Sequence, residues 1–86
     1  MINYSILPEH MREGAQRWIE NGIYPGDFLT AVIHNDLTGA VGRADHINRN
    51  RLHDIVSFFY NDAPHSCWGD PEKTKAWHEK FFPEAP

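Results

Sequence analysis

Only one cysteine, Cys67, occurs among the 86 residues, so no disulfide closes within the chain. Stability must then come from packing or assembly, and a reducing compartment such as the cytosol is expected. Long apolar runs are also missing. The longest falls far short of the roughly 20 residues that a membrane-spanning helix needs. The stretch Met1-Ile2-Asn3-Tyr4 lacks the basic-then-apolar pattern of a secretory signal. Basic charge is scarce: eight Lys and Arg stand against twelve Asp and Glu, a formal charge of −4. A duplex-binding domain normally carries a basic face, so duplex nucleic acid is a disfavoured partner. Repeats, low-complexity tracts and the alternation typical of strands are absent too.

Apolar residues make up 41% of the chain, and three Trp, three Tyr and five Phe are present. That supports one domain, residues 1–86, with a small core. Eleven large rings exceed what such a core encloses, so some belong on a surface.

The helices are announced by their ends. Leu7-Pro8-Glu9 opens the first, with proline where a missing N–H costs nothing and Glu9 near the positive end of the dipole. Met11, Ala15, Trp18 and Ile19 form its apolar stripe. Gly22 is a left-handed stop, after which Ile23 is expected to fold back on Trp18. A second segment starts after Tyr24-Pro25-Gly26 and buries Phe28, Leu29, Val32 and Ile33. His34-Asn35-Asp36 interrupts it. Leu37 to about Arg43 follows, with Leu37, Ala40 and Val41 apolar, and Gly39 and Gly42 permitting close approach by another helix. Residues 27–44 read equally as one bent helix or as two. Asp45 caps a third segment running to about Asp62, with Leu52, Ile55, Val56 and Phe59 inward and Asn48, Arg49, Arg51 and Asp54 largely outward. Ala63-Pro64 stops it. Asp70-Pro71-Glu72 starts the last helix, which carries Ala76, Trp77 and Phe81. The expected fold is all-α, a compact bundle of four to five short helices.

Catalytic chemistry finds little footing. Six histidines occur, His10, His34, His46, His53, His65 and His78, but no pair has the i, i+3 or i+4 spacing of helical metal ligands. A zinc site assembled from distant histidines, in a small metal-dependent enzyme, is the minor alternative. Cys67 has His65 two residues away, yet a nucleophile needs an aligned base and an oxyanion pocket. No phosphate-cradling glycine signature occurs. The expectation is a non-enzyme without cofactor or metal.

One dense polar run stands out, Arg43-Ala44-Asp45-His46-Ile47-Asn48-Arg49-Asn50-Arg51. Arginine forks bind phosphate in a bidentate manner, and asparagine pairs with amide-like base edges. The bland alternative is a solvated face with local ion pairs. Tyr24 and Trp68, both in loops, either plug the edge of the core or stack on a ligand.

The joint pattern of Leu7-Pro8-Glu9-His10, Gly22-Ile23-Tyr24-Pro25-Gly26-Asp27-Phe28-Leu29, Asn35-Asp36-Leu37, Gly42-Arg43-Ala44-Asp45 and Cys67-Trp68-Gly69-Asp70-Pro71-Glu72 resembles a family of short tailed-bacteriophage proteins. The resemblance spans about residues 7–78. It implies a phage origin and action in the host cytoplasm, and it carries no catalytic motif. Phage proteins of this size often act as stoichiometric binders, so two expectations follow by analogy. One is a counter-defence protein that sequesters a host nucleotide-type immune signal. It would be a homo-oligomer, with Arg43, Asn48, Arg49 and Arg51 on phosphates and Tyr24 or Trp68 stacking. The other is an inhibitor that binds a host defence complex, such as a CRISPR effector, through an acidic face.

Overall fold

The computed structural model describes residues 2–83. A short 3-10 turn, Tyr4–Ile6, precedes six helices: α1 Glu9–Asn21, α2 Asp27–Ile33, α3 Leu37–Arg43, α4 His46–Asn50, α5 Leu52–Asn61 and α6 Pro71–Phe81. A second 3-10 turn, His65–Cys67, leads into α6. No strand occurs among the described residues, so the all-α bundle is the architecture.

The capping residues behave as their chemistry demands. Asp36, Asp45 and Asp70 each accept a hydrogen bond from the backbone N–H three residues on, at 2.9, 2.7 and 2.8 Å. Residues 27–44 form two helices, because Asn35 turns into the left-handed region at φ 61° and Asp36 starts a new cap. The third segment also divides. Arg51, at φ −115° and ψ 15°, leaves the helical region and separates α4 from α5. The restart turns the inward face of α5 to Ile55, Phe58 and Phe59, while Val56 is exposed.

Other details of the sequence reading need correction. Asn48, expected outside, is only 2% exposed, because the short α4 packs this residue beside Met11 of α1. Leu37 and Val41 lie in solvent, and α3 buries only Ala40. Gly42 faces open space, and the room left by Gly39 holds the Asp36 carboxylate and Arg43, so neither glycine admits another helix. Ala76 is likewise exposed.

Gly22 ends α1 at φ 68°, as its position predicts. Its N–H and that of Ile23 reach the carbonyls of Trp18 and Arg17. This cap is one residue wider than the expected one. Ile23 stays exposed, and Tyr24 instead stacks on Trp18, with ring centroids 4.9 Å apart.

Trp18, fully buried, joins the layers. Its indole N–H donates to the Cys67 carbonyl at 2.9 Å, and the Trp77 indole donates to the Trp18 carbonyl at 3.1 Å. α1, α6 and the loop before α6 are thus tied around one ring. The Gly69 N–H donates to the Ile33 carbonyl at 2.7 Å and fastens that loop beside the α2–α3 turn. Leu7, Ile33, Ile55, Phe58 and Phe59 complete the interior. Burying each such side chain fully contributes about 1.5–3 kcal/mol.

Candidate functional site

The polar run from Arg43 to Arg51 disperses across the α3–α5 region. Arg51 serves structure. Its Nε donates to Asp54 at 2.7 Å, and its Nη2 donates to the Ile6 carbonyl at 2.7 Å, which pins the first turn onto α5. Arg49 is exposed on α4 and lines none of the four principal cavities. Arg43 and Asn48 do meet, in a groove of about 540 Å³ between α1, the start of α2 and α4. Its walls are acidic, with Glu9, Glu13, Asp27 and Asp45 facing Arg17 and Arg43. Arg17 is held by Glu13, and His10 Nε2 lies 2.9 Å from Asp45. The Asn48 backbone N–H lowers the pKa of the Asp45 carboxyl, and the His10 contact adds to the effect. So many carboxylates disfavour a phosphate here.

Tyr24 stands apart from this groove. Its ring touches Trp18 and also His78, at centroid distances of 4.9 and 4.8 Å. His78 Nδ1 lies 2.6 Å from the Gly22 carbonyl, so that nitrogen carries the proton and donates. Tyr24 therefore closes the edge of the core where α1 and α6 meet.

Trp68 has a different setting. It is half-buried against the core and forms the wall between two cavities. On one side lies a pocket of about 380 Å³, within the usual range for small-molecule sites. Asn35, Tyr60, His65, Trp68, Gly69 and Lys73 line it. Tyr60 is 67% exposed and meets Trp68 edge to face, at 6.4 Å and 70°. The two rings do not cover one another, so an aromatic face remains open to a ligand. Lys73 lies across Gly69: a Cβ there would come within 3.0 Å of Lys73 Cδ and 3.4 Å of its Nζ. A residue without a side chain therefore makes room for the ammonium group. Lys73 has no ion-pair partner among the described residues. The lining holds a lysine, a histidine, an amide and two rings, but no carboxylate. Planar rings beside the Lys73 ammonium suit an aromatic anion.

Across Trp68 is a smaller apolar cavity of about 150 Å³, lined mainly by Val32, Leu37, Ala40, Leu52 and Val56.

Of the six residues singled out from sequence, only Arg43 and Asn48 share a cavity. Trp68 anchors a separate one, whose other members were missed. Tyr60 had a signal, since it follows Val56 by four residues and so continues that face of α5. Lys73 and Asn35 had none, because chain folding alone brings the α2–α3 turn to the start of α6.

Cys67 is buried, and burial pushes its thiol pKa up to about 12. Such a thiol is a poor nucleophile at neutral pH. Among the described residues, no group of three or more His, Cys, Asp or Glu side chains converges to hold a metal. No described helix is long and apolar enough to cross a membrane. No known protein family, curated protein or solved structure matches this chain.

Proposed function

We propose that this protein is a non-enzymatic binder that captures a small nucleotide-type ligand, in a phage counter-defence role drawn by analogy with other phage proteins of this size, the phage origin being what the sequence resemblance implies. The observation carrying this reading is the Trp68 pocket, where two rings and Lys73 face a cavity lined by no acid. A base would stack on Trp68 or Tyr60, Asn35 would pair with a base edge, and Lys73 with His65 would meet a phosphate. Arg43 and Tyr24 line other surfaces of the chain. A homo-oligomer, the assembly the sequence reading expects, is the arrangement in which a second subunit would bring either of them to this ligand. Equilibrium sedimentation with and without ligand measures that association.

The test is calorimetric titration with a panel of linear and cyclic nucleotides. A stacking ring contributes about 1–3 kcal/mol per base, so Trp68→Ala should weaken binding roughly five- to 150-fold. Lys73→Ala should weaken it with a reduced dependence on salt. Absence of heat with every member of the panel overturns the reading.

One observation favours a second reading, the protein-binding inhibitor. Leu37, 66% exposed, lines the apolar cavity on one side of Trp68, and Tyr60, 67% exposed, lines the pocket on the other. Exposed aromatic and aliphatic side chains around a groove are typical anchors for a protein partner. A host defence protein that co-purifies stoichiometrically, and is lost with Leu37→Asp, would support it.

A further inference from the structure

The Trp68 pocket offers an anion few donors. The backbone N–H groups of three of its lining residues are already spent inside the protein. That of Asn35 reaches the Val32 carbonyl at 3.0 Å, that of Gly69 the Ile33 carbonyl at 2.7 Å, and that of Lys73 the Asp70 carboxylate at 2.8 Å. The start of α6 adds little. Pro71 has no N–H, the Thr74 N–H donates to the Asp70 carbonyl, and Asp70 and Glu72 put two carboxylates at this helix end. Loops and helix ends that cradle several phosphates do so with free backbone N–H groups, and those are scarce here. No arginine lines the pocket, so a bidentate guanidinium clamp is also missing. One permanent positive charge remains, the Lys73 ammonium, with the His65 imidazole beside it as a further polar group.

Space and charge set the same limit. At about 380 Å³ the pocket lies near the lower end of the range for small-molecule sites, about 300–1,000 Å³. The chain as a whole carries −4, so every phosphate beyond the one that Lys73 neutralises is opposed by the field of the protein. Given the nucleotide reading of this pocket, on which the inference rests, we infer that its ligand carries a single phosphate group. That class is a nucleoside monophosphate, linear or cyclic, as against a di- or triphosphate. The phosphate meets Lys73, and the base lies against Trp68 or Tyr60.

The test uses the full chain, titrated calorimetrically without divalent cations. The probes, for each of the common bases, are the nucleoside, its linear and cyclic monophosphates, its diphosphate and its triphosphate. For a base that binds, a monophosphate should bind more tightly than the nucleoside. The triphosphate should bind roughly fivefold more weakly than that monophosphate, the scale of one unfavourable contact between exposed charges. Lys73→Ala, once shown to retain the helical circular dichroism of the parent, should bind the monophosphate and the nucleoside alike, because the phosphate has lost its one permanently charged partner. A triphosphate that binds as tightly as the monophosphate, or more tightly, overturns the inference and leaves the nucleotide reading standing. So does a monophosphate that keeps its full advantage over the nucleoside in Lys73→Ala. Absence of heat with every probe overturns the nucleotide reading itself, and the inference with it.

Discussion

Replacing Gly22 by alanine is expected to cost about 2–5 kcal/mol of folding stability. Two effects add. Gly22 sits at φ 68°, and an L-residue held there loses about 1–2 kcal/mol. The new methyl group would also lie 2.5 Å from Phe81 Cδ1 and 2.8 Å from Phe81 Cβ and Cγ. Turning the ring does not relieve the second contact, because Cβ is fixed to the backbone of α6. The helix must shift, and such overpacking costs about 1–3 kcal/mol. Domains of this size lose roughly 4–8 °C of Tm per kcal/mol, so the melting temperature should fall by roughly 8–40 °C. Urea unfolding followed by circular dichroism and tryptophan fluorescence measures the effect. Gly42→Ala is the control. Its Cβ meets nothing within 4 Å inside α3, so the helix should gain about 0.5–1 kcal/mol. Adding Phe81→Ala to the Gly22 variant should recover only the part due to the ring, leaving the contact with the residue 81 Cβ and the backbone part. A Gly22→Ala protein within about 0.5 kcal/mol of the parent would refute both the left-handed cap and the close approach of α6.

Asp45→Asn keeps a side-chain acceptor at the cap but removes the charge. The native carboxyl is depressed below its ordinary value of 3.8, so its stabilisation is present above that value and disappears as pH falls through the native one. The parent should melt higher than the variant at neutral pH, and the two should converge in acid; a constant gap would contradict this. Arg51→Lys should lower stability by about 1 kcal/mol in chemical denaturation, because one ammonium cannot reach both Asp54 and the Ile6 carbonyl as the planar fork does. Asp70→Ala should cost about 1 kcal/mol by loss of the α6 cap, with amide exchange accelerated in the first turn of that helix. Iodoacetamide should leave Cys67 unmodified in the native protein and label it in urea, read by intact mass; rapid native labelling would place the thiol at the surface.

Much of the fold was legible along the chain, because helix ends are short-range chemistry. Asp36, Asp45 and Asp70 cap through backbone N–H groups three residues away, and Gly22 stops α1 through its own φ. Pro71 at the first helical position is equally local. Helix-end signals without strand-type alternation determined the all-α class, and composition the surplus of rings: Tyr24, Tyr60, Phe81 and Phe82 do remain outside the core. Tertiary structure decided which residues share a surface. Arg51 and Asn48 read as ligand contacts in sequence, yet Arg51 is engaged by Asp54 and by a carbonyl 45 residues away, while Asn48 is packed under α1. The Trp68 pocket exists because the Gly69 N–H bonds to the Ile33 carbonyl and draws the α6 loop beside Asn35. No local pattern encodes that bond. It depends on the burial of Trp18, whose indole N–H holds the same loop, so the candidate site follows from packing around one ring.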